Sequence, residues 1–173
     1  AQHCFGLAYN SLAPDCPLPV RMVAAKAVES MSDVLDPVFL QPHVPQLLQQ
    51  IAQLLASASE DSALIILEAL HATINIPCPT SAHVTAQIPL VVEHVLRALG
   101  RCTGDVMIAT EAVDTIVALL LKNDGEHVHA VACAYTPLCV SLMTSPEKFV
   151  STQAESIMEL LAKIVRRPKG CGR

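Results

Sequence analysis

Histidine and cysteine side chains cluster in the segment "HVHAVACAY", where they could act as metal ligands. His129 and Cys133 lie four residues apart, so on a helix they would share one face. His127 and Cys139 are neighbouring residues of the same ligand types. However, the paired spacing of a zinc site is missing, and the apolar neighbours favour a core position for Cys133. We therefore expect neither a metal nor another cofactor at this segment.

Two carboxylates, Glu155 and Glu159, have a spacing that would place a pair of acid–base groups on one side of a helix. No nucleophile and no pocket-forming motif accompanies them. A glycine-rich phosphate loop, a nucleophile elbow and an HExxH motif are also missing from the sequence. The sequence therefore predicts a protein that is not an enzyme.

The C-terminal sequence "KIVRRPKGCGR" is basic and could bind an anionic partner or a phosphate backbone. Its charged residues are Lys163, Arg166, Arg167, Lys169 and Arg173. The interpretation that we favour is a helix whose C-terminus is stabilised by positive charge and is followed by a loop.

The composition limits the class of protein and the class of partner. Of 173 residues, 52% are apolar and only 16% are charged, which excludes a disordered tail and predicts a buried core. The net charge of −5 argues against direct nucleic-acid binding and leaves basic proteins as partners. The apolar run at 116–121 is far shorter than the roughly 20 residues that span a bilayer, so no membrane contact is expected. Seven scattered cysteines, an odd number, indicate reduced thiols rather than a disulfide framework.

Apolar residues recur every three or four positions along nearly the whole chain, which predicts an all-α fold. Turn residues divide the chain into eight expected helices, at 2–12, 18–33, 38–57, 61–75, 82–101, 104–122, 127–144 and 147–167. We expect Leu67 and Ile116 to lie in the core.

The helices form pairs that repeat. The second helix of each pair begins at intervals of 44, 44 and 42 residues, near Pro17, Asp61, Asp105 and Glu147. The first helices share a proline inside an apolar run, at Pro45, Pro89 and Pro137, which predicts a bend at a fixed place. This period is typical of a HEAT or armadillo α-solenoid, here of about four helical hairpins. The approximate repeats are 1–35, 36–78, 79–124 and 125–168, and the alternative is an irregular helical bundle.

The segment "PDCPLPVRMVAAKAVESM" resembles the pattern of a HEAT repeat. The matching residues are Asp15, Val20, Arg21, Ala24 and Ala25. In that family the aspartate and the arginine form hydrogen bonds between neighbouring repeats. The resemblance therefore implies a structural, inter-repeat role for Asp15 and Arg21.

The succession "PLPVRMVAAKAV", "FLQPHVPQLLQQIAQLL", "IILEALHATI", "IPLVVEHVLRAL", "TPLCVSLMTSPEK" and "LLAKIVRRPKG" resembles the middle HEAT repeats of the importin-β (karyopherin-β) family. The resemblance implies a segment of a longer superhelix that carries basic cargo, such as core histones and ribosomal proteins, between cytoplasm and nucleus. It also implies, for the full-length receptor, regulation by Ran in its GTP state and contacts with nucleoporin Phe-Gly repeats. The alternative is a HEAT-repeat scaffold subunit of a phosphatase or cytoskeletal complex.

The second helices of HEAT hairpins line the surface on which cargo would bind. Alignment of the four second helices places Lys26, Glu68, Glu111 and Glu155 at one position, and Glu29, His71, Asp114 and Glu159 beside them. If the repeats stack in register, the carboxylates form an acidic stripe that would attract a basic partner. The candidate cargo-binding residues are Glu68, Glu111, Asp114, Glu155 and Glu159. The alternative is an ordinary solvated helix face.

Overall fold

All regular secondary structure in the described part of the chain is helical, which confirms the predicted fold class. The computed structural model describes residues 2–78, 82–101, 105–122 and 126–166. The helices are α1 (Gln2–Ser11), α2 (Leu18–Ser32), α3 (Pro37–Leu40), α4 (Val44–Ala56), α5 (Glu60–Asn75), α6 (Ala82–Thr85), α7 (Ile88–Arg101), α8 (Val106–Lys122), α9 (Glu126–Met143) and α10 (Lys148–Arg166). A 3-10 turn, Gln41–His43, joins α3 to α4. Among the described residues, no helix has both the length and the apolar character needed to cross a membrane.

Two of the expected helices are divided at their prolines. The segment 38–57 separates into α3, the 3-10 turn and α4, and the segment 82–101 separates into α6 and α7. Pro45 and Pro89 are the second residues of α4 and α7, where the missing N–H leaves no hydrogen bond unmade. The expected bend inside a helix was therefore wrong for these two prolines, whereas Pro137 does lie inside α9.

Four helical hairpins stack in two layers. The hairpins pair α1 with α2, α4 with α5, α7 with α8 and α9 with α10. Helices α2, α5, α8 and α10 pack side by side in that order and form what we call the second layer. Helices α1, α4, α7 and α9 form the first layer, in which α4 packs on α7 and α7 on α9. The residue boundaries of the four repeats stay a prediction.

The core lies between the two layers and consists mainly of leucine, isoleucine, valine and alanine. Leu67 on α5 and Ile116 on α8 are fully buried, as expected from the sequence. At the N-terminal end, the buried ring of Phe5 packs against Phe39 and His43, with ring centroids 5.5 and 5.4 Å away. These rings join the first hairpin to the second.

Arg101, the last residue of α7, ties the second hairpin to the third. Its guanidinium donates hydrogen bonds to the backbone carbonyls of Leu55 and Ala56, at 3.0 and 3.2 Å. Those carbonyls belong to the last turn of α4, where regular intrahelical donors run out, although the Leu55 carbonyl also accepts from the backbone N–H of Ala58 at 3.3 Å. The positive charge also lies at the negative end of the helix dipole, so this contact stabilises α4 in two ways.

A close approach of α7 and α9 ties the third hairpin to the fourth. A Cβ atom added at Gly100 would lie 2.9 Å from the Cδ2 atom of Leu142, so the two helices approach closely here and a larger residue would require the leucine side chain to shift. The hydroxyl of Tyr135 on α9 donates to the carbonyl of Pro89 at 2.8 Å. Each neighbouring pair of hairpins is therefore joined by specific contacts as well as by apolar packing.

Truncation of the buried side chains tests the assignment of the core. Leu67→Ala and Ile116→Ala should each lower the free energy of unfolding by about 2–5 kcal/mol, because each leaves a cavity between the layers. Val23→Ala is the control, since Val23 is 72% exposed, and it should change stability by no more than about 0.5 kcal/mol. Urea denaturation followed by circular dichroism measures all three. Equal denaturation midpoints for the core variants and the control would contradict this packing.

Candidate functional site

The predicted cargo-binding residues lie on the helices of the second layer. Because α2, α5, α8 and α10 pack in sequence, the aligned positions of the four hairpins fall on adjacent helices. We call this set of side chains the charged face. It comprises Lys26, Glu29, Glu68, His71, Glu111, Asp114, Glu155 and Glu159.

At the N-terminal end of the charged face, Lys26 bridges two helices. Its Nζ atom lies 2.8 Å from the carboxylate of Glu29 on the same helix and 3.2 Å from that of Glu68 on α5. Hydrogen bonds from the ammonium group to Glu29 and then to Glu68 raise the pKa of Lys26 above its ordinary value. The lysine therefore stays charged at neutral pH and neutralises part of the acidic charge of this region.

The next junction, between α5 and α8, carries a histidine–carboxylate pair. His71 Nδ1 lies 2.7 Å from Glu111 Oε1. The two side chains are 29% and 22% exposed, so they are screened by solvent less than a fully exposed pair. When the imidazole is protonated, the contact is a charge-assisted hydrogen bond between neighbouring hairpins.

The structure therefore divides the expected acidic stripe into two parts. Glu68 and Glu111 form hydrogen bonds to basic side chains of the neighbouring hairpin rather than facing solvent as free carboxylates. Asp114, Glu155 and Glu159 are exposed, and no ion pair involves them within the described residues. Within the charged face, the carboxylates without an ion pair thus lie on α8 and α10, and the cargo-binding role of all five residues stays a prediction.

In the described residues Arg21 binds within its own hairpin, and the inter-repeat role of Asp15 and Arg21 stays a prediction. The Nε atom of Arg21 donates to the carbonyl of Leu12 at 3.1 Å, so this bond closes the first hairpin. The reason is position, because Arg21 lies in the first turns of α2, directly across from the residues that end α1. Asp15 is exposed in the connection between α1 and α2.

The candidate metal ligands are only partly brought together. Cys133 is exposed, so the expected core position was wrong; its Sγ atom lies 3.9 Å from His129 Nδ1 on α9, as their spacing predicts. Cys139 is fully buried, and burial raises the pKa of its thiol to about 11. No group of three or more ligating side chains converges among the described residues, and the side chain of His127 lies outside them.

The basic C-terminal sequence is described only in part. Lys163 and Arg166 are exposed in the last turn of α10, where positive charge favours the helix terminus. Arg167, Lys169 and Arg173 lie outside the described residues. A partner for this segment stays untested.

Sequence analysis missed two polar features of the structure. Arg101 was not expected to bind the end of α4, because its acceptors are backbone carbonyls about 45 residues away and have no sequence signal. A row of glutamines on α4 was also missed, although its spacing in "PQLLQQIAQ" could have indicated a polar stripe on a helix that is otherwise apolar.

The contact between His71 and Glu111 can be measured by a double-mutant cycle. With both side chains replaced by alanine singly and together, the coupling free energy should be about 0.5–1 kcal/mol in low salt. The control cycle pairs His71→Ala with Asp114→Ala, whose carboxylate is on the same helix but forms no ion pair with the histidine. A coupling no larger than that of the control would mean that the pair does not join the hairpins.

The thiols should differ sharply in reactivity. Only the thiolate is alkylated readily, so Cys139, with a pKa of about 11 and no exposed surface, should remain unmodified by iodoacetamide at pH 8.5. The exposed Cys4 and Cys133 should react under the same conditions. Peptide mapping by mass spectrometry separates the sites, and urea should make Cys139 reactive. Rapid modification of Cys139 in the native protein would show that α9 opens readily.

No protein-family model, curated protein or solved structure matches the chain. Evidence on function comes from the packing of the helices, the positions of the charged side chains and the sequence resemblance.

Proposed function

We propose that this chain is a HEAT-repeat segment of a nuclear import receptor of the importin-β family. In this proposal it is a protein-binding scaffold, and the second layer binds basic cargo such as core histones or ribosomal proteins. The ordered succession of motifs and the period of 42–44 residues support it. The stacking of four helical hairpins in two layers is compatible with such an array.

The observation that carries the proposal is the free acidic charge on α8 and α10. Asp114, Glu155 and Glu159 are exposed and project from helices that pack against each other. Lysine and arginine side chains of a basic protein could pair with these carboxylates without displacing an existing partner. At Glu68 and Glu111, by contrast, a cargo would have to compete with Lys26 and His71.

The paired and the free carboxylates would serve different purposes in this mechanism. The contacts of Lys26 with Glu68 and of His71 with Glu111 would hold α2, α5 and α8 in a fixed register. The free carboxylates would attract the cargo. Attraction between opposite charges mainly accelerates encounter and weakens with salt. Release by Ran in its GTP state, contacts with nucleoporin Phe-Gly repeats and movement between cytoplasm and nucleus belong to the proposed full-length receptor.

Neutralisation of the free carboxylates tests the proposal. The variant Asp114→Asn/Glu155→Gln/Glu159→Gln should bind a purified core-histone dimer about tenfold more weakly than the unmodified chain, since several exposed pairs of about 0.2–1 kcal/mol each are lost. The readout is a titration at low and physiological salt, with helicity checked in the same buffers.

The matched control removes the same charge elsewhere. Asp15→Asn/Asp33→Asn/Glu147→Gln neutralises three exposed carboxylates that are not on the charged face, and its affinity should change by less than about twofold. Equal weakening by both variants would show that only net charge matters. A fully helical chain that does not bind the histone dimer at low salt would contradict cargo binding by these hairpins.

A further inference from the structure

A cleft of about 380 Å³ lies along α4 in the first layer, away from the helices that carry the charged face. Its lining residues are all uncharged, and five of the seven are glutamines. They are Pro14, Pro45, Gln46, Gln49, Gln50, Gln53 and Gln87. The proposed cargo-binding function does not use this cleft, which we call the glutamine groove.

One face of a single helix supplies most of the groove. Gln46, Gln49, Gln50 and Gln53 are spaced by three, one and three residues, which places their side chains along one side of α4. The opposite side of α4 is apolar and buried in the core. The position of the glutamine row is therefore set by the packing of the hairpin.

Gln50 forms a buried part of the groove and is incompletely hydrogen-bonded. It is only 7% exposed, and its Oε1 atom is buried without a hydrogen-bond partner in the described part of the chain. Buried carboxamides in folded proteins normally have partners, so the unpaired Oε1 atom of Gln50 can accept a hydrogen bond from a ligand in the groove. Rotation about the last side-chain bond exchanges Oε1 with Nε2, so either a donor or an acceptor can face the groove.

We propose that the glutamine groove binds an extended, uncharged peptide segment of a partner protein through its main-chain amides. A carboxamide carries a donor and an acceptor side by side, and in an extended chain the N–H and C=O of one residue also point to the same side, so a glutamine can pair with one residue of the peptide backbone. Gln46 contributes mainly its donor, because its Oε1 atom already accepts a hydrogen bond from the hydroxyl of Tyr9. No charged side chain lines the groove in the described part of the chain, which disfavours a charged ligand, because that ligand would lose hydration without gaining an ion pair.

The length of the groove fits this ligand. From Gln46 to Gln53 the helix rises by about 10 Å, which an extended chain covers with about three residues at roughly 3.3 Å each. The rings of Pro14 and Pro45 offer apolar surface beside the row of carboxamides. Recognition would therefore depend on the peptide backbone more than on particular side chains.

The test uses the whole chain labelled with ¹⁵N in its glutamine side chains and observed by NMR. The probe is the neutral peptide acetyl-Ala-Ser-Ala-Ser-amide. Saturable shifts of the Gln46, Gln49 and Gln50 carboxamide signals are expected. The same peptide N-methylated at two amides should bind at least about tenfold more weakly, because two donors are lost.

Several results would overturn the proposal. One is the lack of any shift at millimolar peptide, and another is equal binding of the N-methylated peptide. A third is an equal shift caused by the disaccharide trehalose at the same concentration, which would identify the groove as a site for polyhydroxyl compounds.

Two variants and a control test the residues. Gln50→Leu should abolish the peptide-induced shifts at Gln46 and Gln49, whereas Gln153→Leu on α10 should leave them unchanged. Gln49→Ala changes an exposed side chain that the fold does not need, and it should weaken binding by about threefold or more. Unchanged affinity in Gln49→Ala, or in a folded Gln50→Leu variant, would contradict main-chain recognition by this row.

Discussion

A single helical hairpin leaves one apolar face uncovered, and in this chain the neighbouring hairpin covers it. The side chains of α5, for example, pack against α2 on one side and α8 on the other, as well as against α4 within the hairpin. Burial of apolar surface is the main favourable contribution to folding, so no hairpin here is expected to be stable without its neighbours. Every other feature of the molecule depends on this stacking.

The same stacking sets the positions of the charged and polar side chains. Lys26 meets Glu68, and His71 meets Glu111, only because their helices lie side by side in the second layer. The charged face and the glutamine groove lie in different layers, since the unpaired carboxylates are on α8 and α10 whereas the carboxamides of the groove are mainly on α4. The first layer is not free of charge, because α7 carries the Glu93–Arg97 ion pair. The same apolar core therefore supports both the charged face and the uncharged glutamine groove, for which we expect different partners.

The regular spacing of apolar residues allowed much of this architecture to be predicted from the sequence. Apolar spacing indicated the long helices and the buried side chains Leu67 and Ile116, because core burial imposes a regular pattern. The helix starts one residue before Pro45 and Pro89 were not anticipated, since a proline inside an apolar run is equally compatible with a bend.

The contacts that Glu68 and Glu111 form with Lys26 and His71 could not be predicted from the sequence either. Alignment places residues on a face but does not give the register between helices about 40 residues apart in sequence. Hydrogen bonds to backbone, such as those of Arg101, leave no residue pattern at all.

Native-state hydrogen exchange tests the central claim, that neighbouring hairpins stabilise one another, most directly. Amides of α5, α7 and α8, each of which packs between two helices of its own layer, should exchange much more slowly than those of α1 and α10. Equal protection along the chain would contradict nearest-neighbour stacking, in which the terminal helices open before the central ones, and would indicate a single cooperative bundle.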